Sequence, residues 1–206
     1  MENLALINLR ALTSVSTLAI NQTIEVSEEI RHMLPLSALR RGSVGVINGQ
    51  VGTGVTSLLF SILGAPSSKD NWIALVGMNN LGFASAQSHG VDLRRILSVS
   101  CSPDEAPYLA AVLLDGFDIV VISAKFDFGV ARKLAERAKR QKAVLLVVEN
   151  DRLKSSHWPI SSDFSLKTQS CTWEVDGITP VAKRTVVVQV DSSRRGSVSL
   201  QSIAGL

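Results

Sequence analysis

Between residues 43 and 148 short apolar runs alternate with amphipathic stretches, and glycine or proline punctuates the joints. Ser43 to Asn48 reads as a strand that leads directly into a glycine-rich loop. Ser57 to Leu63 predicts a short helix stopped by Gly64 and Pro66, because glycine costs backbone entropy and proline lacks the N–H that an inner turn needs. Trp72 to Gly77 and Ile96 to Ser100 read as strands, with a helix over Gly82 to His89 between them that ends at Gly90. Pro103 to Leu114 predicts a helix with Asp104 and Glu105 in its first turn, where carboxylates meet the positive end of the helix dipole. Ile119 to Ile122 is an unbroken β-branched run, the pattern of a strand buried on both faces. Phe128 to Lys142 carries Val130, Leu134 and Ala138 at helical core spacing, and Ala143 to Val148 is another buried strand.

Strand alternating with helix predicts an α/β fold, mainly a parallel sheet with helices on both faces. The C-terminal part departs from this pattern. Ser170 to Val175 and Thr185 to Val190 alternate apolar and polar residues on either side of Gly177 and Pro180, which predicts an antiparallel extension at the sheet edge. Residues 1–28 have weak periodicity and are rich in Ser, Thr and Asn, while Glu28 to Met33 suits a short helix ended by Pro35. The expected division is an N-terminal arm or short helix over 1–33 and a core over 34–206 with a basic C-terminal edge. Leu4, Ala5, Ile7 and Leu9 in the arm could cap the chain's own sheet edge.

Composition narrows the function classes. The chain has 206 residues, 46% hydrophobic and 19% charged, enough for one domain with a substantial core and unlike a disordered chain. Cys101 and Cys171 have no metal spacing, and His32, His89 and His157 are scattered. Ser57 and Ser123 lack a histidine partner for nucleophilic catalysis, and no dinucleotide fingerprint is present. No apolar stretch reaches membrane-spanning length and no signal-peptide pattern opens the chain, so the expectation is a cytoplasmic protein without a membrane partner. Charge is uneven. Residues 1–120 hold seven basic and ten acidic residues, a net of −3, whereas residues 121–206 hold fourteen basic and eight acidic, a net of +6. A polyanion-facing region would explain this, and so would solubility.

The loop is Gly49-Gln50-Val51-Gly52-Thr53-Gly54-Val55-Thr56-Ser57. Its place between strand and helix suits a phosphate-binding loop, in which glycines let backbone N–H groups converge on an anion. Gly49, Gly54 and Thr56 fit that pattern, but Val55 stands where the lysine belongs. That lysine holds the β- and γ-phosphates, and valine supplies no charge. A glycine-rich turn without phosphate ancestry is the alternative. The carboxylate expected after a later apolar strand is also missing: Ile119 to Ile122 ends in Ser123, and Asp127 comes four residues later. The strand ending at Val76 leads into Gly77-Met78-Asn79-Asn80, again without a carboxylate. These neutral positions predict no catalytic residues and no cofactor; residual binding of ATP and magnesium through Thr56 remains the alternative.

In the order of its elements, from Leu34 to Gln201, the chain resembles the RecA-like recombinase ATPases, and within them the shorter ImuA-type proteins. The segments that carry the resemblance are Leu36 to Gly42, the strand and loop 43–57, Ser85 to Gly90 with Val91-Asp92, Asp118 to Ser123 as a Walker B strand, Ala143 to Asn150, and Arg184 to Arg195. It implies a RecA-like (P-loop NTPase) core, with Asn150 at or near a position that senses nucleotide and DNA. Val55, Ser123 and Met78, the last at the family's catalytic glutamate, depart from the pattern. What the resemblance then implies is a non-catalytic accessory role in DNA damage-induced mutagenesis (the SOS response and translesion synthesis). The partners would be an ImuB-like inactive Y-family protein and an error-prone replicative-type polymerase, with DNA binding and self-association left open. A cell-division inhibitor-like module and a weak ATPase or DNA-binding RecA-like protein are the alternatives.

Two basic regions could serve partners or DNA. The helix after the Walker-B-like strand carries Arg132, Lys133, Arg137, Lys139, Arg140 and Lys142, with Lys133, Arg137 and Arg140 on one face and Glu136 as the single nearby acid. A solvated helix face is the plainer reading. Lys183, Arg184, Arg194 and Arg195 flank the last predicted strand. The segment 155–165, with His157, Trp158, Pro159 and Phe164, stands where the resemblance implies a DNA-facing loop; from its residues it could instead present Trp158 to a partner protein. The resemblance also implies that the arm, through Leu4, Ala5, Ile7 and Leu9, could join a neighbouring copy.

Overall fold

The computed structural model describes residues 22–79, 81–150, 157–175, 182–192 and 199–204. In chain order these form β1 (Thr23–Ile24), α1 (Glu28–Arg31), β2 (Leu39–Arg40), β3 (Val44–Gly49), α2 (Val55–Ser68), β4 (Ile73–Val76), α3 (Phe83–Ser88), β5 (Ile96–Val99), α4 (Ala106–Leu113), β6 (Ile119–Ile122), α5 (Phe128–Gln141), β7 (Val144–Asn150), β8 (Phe164–Val175), β9 (Ala182–Ser192) and β10 (Ser199–Ala204). Among the described residues the main sheet runs β10-β9-β8-β3-β7-β6-β4-β5. From β8 through β5 neighbouring strands are parallel, and β9 and β10 return antiparallel.

Side chains alternate across each strand and feed two apolar layers. Ile119 and Val121 of β6 join Ile47, Leu75 and Leu146 beneath α2, where Leu58, Leu59, Ile62 and Leu63 are buried. Val120 and Ile122 face the other way, with Val46, Leu145 and Val147, onto Ala106 and Ala110 of α4 and Ala131, Leu134 and Ala138 of α5. Both faces of β6 are therefore covered, which explains its continuous apolar run. The described part of the N-terminal arm packs on the α2 layer through Ile24, Val26, Ile30 and Met33, and β1 pairs with β2.

At the sheet end opposite the glycine loop, two consecutive arginines fasten strands. Arg41 Nη1 lies 2.7 Å from Asp118 Oδ1, and Asp118 Oδ2 accepts the Trp72 N–H at 2.9 Å. Arg40 Nη2 lies 2.7 Å from Asp163 Oδ1, whose other oxygen accepts the Val44 N–H at 3.0 Å. Each carboxylate thus neutralises an arginine and takes up a backbone donor at a strand start.

The structure corrects several boundaries. α2 extends to Ser68, so Gly64 and Pro66 lie inside it. Gly64 is there because the His89 carbonyl comes so close that a Cβ would sit 2.3 Å from its oxygen. Pro66 falls near the helix end and forgoes only the one N–H that would be directed at Ile62. α4 begins at Ala106, after Asp104 and Glu105. Ser102 and Glu105 form a capping box ahead of it: the Ser102 N–H donates to Glu105 Oε2 at 3.1 Å and the Glu105 N–H to Ser102 Oγ at 3.3 Å. The antiparallel pair is confirmed but starts earlier, since β8 begins at Phe164 and pairs in parallel with β3. β10 was not anticipated. Asn80, Arg194, Arg195 and the arm residues Leu4, Ala5, Ile7 and Leu9 lie outside the described residues.

Candidate functional site

The glycine loop leaves the C-terminal end of β3, the sheet edge at which ligands bind in open α/β folds. Gly52 (φ 90°) and Gly54 (φ 98°) are both left-handed, and Gly54 caps the N-terminus of α2. The strand–turn–helix geometry of a phosphate loop is therefore present. Thr56 is exposed and Ser57 is buried. Val55, at the lysine position, is half-buried and packs against the apolar layer beneath α2.

The loop also spends polar groups on itself and on β8. The N–H and Oγ1 of Thr53 both donate to the Gln50 carbonyl, at 3.1 and 2.7 Å. Thr53 Oγ1 lies 2.6 Å from Oγ1 of Thr168, which is 2% exposed. Thr168 Oγ1 sits so tightly over Gly49 that a Cβ there would be 1.9 Å away. The start of the loop is thereby latched to its neighbouring strand.

The other two positions carry no charge either. Ser123 follows β6, is 9% exposed and donates its N–H to Val76 O at 3.1 Å. β7 lies between β6 and β3, so Ser123 stands two strands from the loop's own strand. Met78, after β4, is a partly buried apolar residue on the α2 layer. Asp127 is committed to capping α5, its Oδ1 accepting the Val130 N–H at 2.7 Å. The residues present do not fit a catalytic magnesium–ATP complex: Thr56 is retained, but Val55, Ser123 and Met78 offer neither the cation, nor the acidic metal ligand, nor the base that such a site requires.

One carboxylate escaped the sequence reading. Glu149, the acid near the end of apolar β7, accepts the Trp158 N–H at 2.6 Å and lies 3.3 Å from His157 Nδ1; its Oε2 accepts from Asn48 Nδ2 at 3.3 Å. It shares the face of Val147, toward α4 and α5, whereas the glycine loop feeds α2 on the opposite face. Its role is to tie residues 157 and 158 to the sheet. A lone acid in an apolar strand was the available signal.

The structure overturns the reading of Trp158 as a presented anchor. Trp158 is 4% exposed and meets Phe126 edge-on, with ring centroids 5.0 Å apart. The basic helix is also less free than its sequence implies. Arg137 Nε donates to Asp115 Oδ1 at 2.9 Å and its Nη2 to Oδ2, and Arg132 pairs with Glu136 at 2.9 Å. The Arg137 guanidinium, together with Gln141, holds the Asp115 carboxyl below its ordinary range. Lys133 and Arg140 remain exposed without a salt bridge among the described residues. Lys183 and Arg184 lie on β9, far along the chain from α5. Burial pushes the Cys101 thiol up, away from reactivity. No described helix is long and apolar enough to cross a membrane, and no group of metal-ligating side chains occurs among the described residues.

The family model described as the MT3502 N-terminal domain matches residues 32–159, which run from the end of the arm to the Glu149–Trp158 contact. The chain belongs to this family. It is also similar to the uncharacterized protein Rv3395c of Mycobacterium tuberculosis, 31% identical over 117 residues, which are 55% of this chain. The match spans 55% of that relative's length, about half. Among solved structures, a KaiC-like protein from the hyperthermophilic archaeon Pyrococcus horikoshii OT3 superposes with a TM-score of 0.57 at 14% identity, over 88% of this chain and 91% of that one. The fold is that of the RecA/KaiC-like P-loop NTPases, with a mixed parallel and antiparallel sheet and flanking helices.

Proposed function

We propose that this chain is a non-catalytic adaptor: a RecA/KaiC-like core that keeps the shape of a nucleotide-binding domain and serves as a scaffold for other proteins. The observation that carries this reading is the coordinated neutrality of Val55, Ser123 and Met78 around a loop latched by Thr53 and Thr168. Loss of one charge leaves a weakened enzyme. Loss of the phosphate cation, the acidic metal ligand and the base, with Thr56 alone retained, removes the main electrostatic terms on which phosphoryl transfer depends.

The finer reading is an ImuA-type accessory role in damage-induced mutagenesis, with an ImuB-like protein and an error-prone polymerase as partners. The order of sequence elements supports it, and the similarity to a mycobacterial protein is consistent with it.

Two measurements test these levels separately. ATP turnover and binding of a fluorescent ATP analogue are compared in the wild type and a Val55→Lys/Ser123→Asp variant. No turnover in the wild type is expected, and hydrolysis above background that is lost in Thr56→Ala would sink the non-catalytic reading. Reconstitution with purified ImuB-like protein and polymerase is expected to give a complex that co-elutes in gel filtration. Separate elution at micromolar concentration would remove the mutagenesis assignment and leave the scaffold reading intact.

A further inference from the structure

A groove of about 850 Å³ runs between α4 and α5, away from the glycine loop's helix. Leu134 and the half-buried Val130, Ala111, Pro107 and Phe126 line it with apolar surface. Tyr108, 74% exposed, stands on the α4 rim. The opposite rim is set by α5, whose residues 133, 137 and 140 follow one another along the groove.

The charges on this groove are unevenly used. Of its acids, Asp127 caps α5 and Glu136 is paired with Arg132. Of its bases, Arg137 is paired with Asp115. Lys125, Lys133 and Arg140 are exposed and carry no salt bridge among the described residues, and Asp104 is the one acid on the other rim. An apolar floor flanked by unpaired cations is complementary to an amphipathic segment that pairs apolar anchors with carboxylates. It is less suited to a nucleic-acid strand, whose evenly spaced phosphates would pass Asp104, Asp127 and Glu136 as well as the cations.

We infer that the α4/α5 groove is a docking site for an acidic, amphipathic helical segment of a partner protein. Its apolar side chains seat on Val130, Phe126 and Ala111, over the buried Leu134, and its carboxylates meet Lys133 and Arg140. With 14 residues, α5 is about 21 Å long, which offers contact to about four turns of a bound helix. This inference rests on the scaffold reading and assigns that scaffold a surface and a partner chemistry.

The test uses the full chain and a displayed library of random peptides as long as α5. Enriched peptides are expected to combine Leu, Phe or Trp at helical spacing with Asp and Glu. In backbone-amide NMR they should shift residues of α4 and α5, and a Lys133→Glu/Arg140→Glu variant should weaken them at least about tenfold. Tyr108→Ala, at an exposed position, provides a second variant should the charge reversal impair folding. Enrichment of basic peptides, equal affinity for the variants, or preferential binding of oligothymidylate to the same amides would each overturn the inference. If the partner complex proposed above forms equally well with both variants, the groove assignment fails while the scaffold reading stands. If peptides bind as expected but no polymerase component does, the mutagenesis assignment fails and the groove stands.

Discussion

The hydroxyl oxygens of Thr53 and Thr168 meet at 2.6 Å across 115 residues of sequence. Each hydroxyl also has a carbonyl in reach, Thr53 that of Gln50 at 2.7 Å and Thr168 that of Asn48 at 3.4 Å, so either can donate in this pair. The contact joins the glycine loop to the strand beside it and holds the loop's first residue against β8. In a working phosphate loop the backbone is shaped around an anion; here a protein hydroxyl helps to hold the loop.

Thr168→Val keeps the shape of this buried side chain and removes its hydroxyl. The loss should destabilise the fold by about 1 kcal/mol. A lowered urea midpoint at unchanged m-value is the expected result, together with faster amide exchange in 50–54. An unchanged midpoint would show that the latch contributes nothing to stability.

Gly64→Ala reverses the usual helix rule. Alanine in a helix interior normally stabilises by roughly 0.5–1 kcal/mol over glycine. At this position the added Cβ would lie 2.3 Å from the His89 carbonyl oxygen. A net destabilisation of about 1–3 kcal/mol is expected from the forced separation of α2 and α3, measurable by thermal unfolding. A stabilised variant would mean that the two helices move apart at little cost.

Trp158→Ala tests whether this residue is core or contact surface. Its burial and its contact with Phe126 predict a loss of about 3–5 kcal/mol. In the wild type its fluorescence should resist an aqueous quencher, whereas Trp72, 46% exposed, should be quenched. Stability unchanged in Trp158→Ala would restore the view of Trp158 as a presented anchor.

The pairing of Asp115 with Arg137 has a pH signature. The carboxyl is held below the usual aspartate range, chiefly by the hydrogen bond from Arg137. A depressed folded value means that the contribution to stability is present above the unfolded titration. It fades as pH falls below about 4 and through the lowered folded value. Arg137→Gln should raise the Asp115 midpoint toward the ordinary one in a carboxyl-carbon NMR titration. An identical midpoint in both proteins would show that the pair does not form in solution.

Much of the fold was readable because hydrophobic periodicity is a local property. The run Ile119–Ile122 announced a strand covered on both faces, and Val130, Leu134 and Ala138 announced the buried stripe of α5. Where prediction failed, a long-range contact had overruled a local rule. Gly64 and Pro66 read as a helix stop, yet the close approach of His89 gives glycine a place inside α2. Glu136 read as the one acid near the basic stripe, but Asp115 reaches Arg137 from 22 residues away.

The sequence by itself determined the order of strands and helices, the glycine loop between β3 and α2, and the absence of charge at Val55, Ser123 and Met78. Each of these is a matter of residue type and spacing along one short segment. Only the tertiary structure decided that β7 separates β3 from β6, that Thr168 closes on Thr53, and that Trp158 turns inward. The reason is physical: strand order and side-chain burial follow from packing both sheet faces at once, and residues more than a hundred positions apart share that constraint without sharing a local pattern.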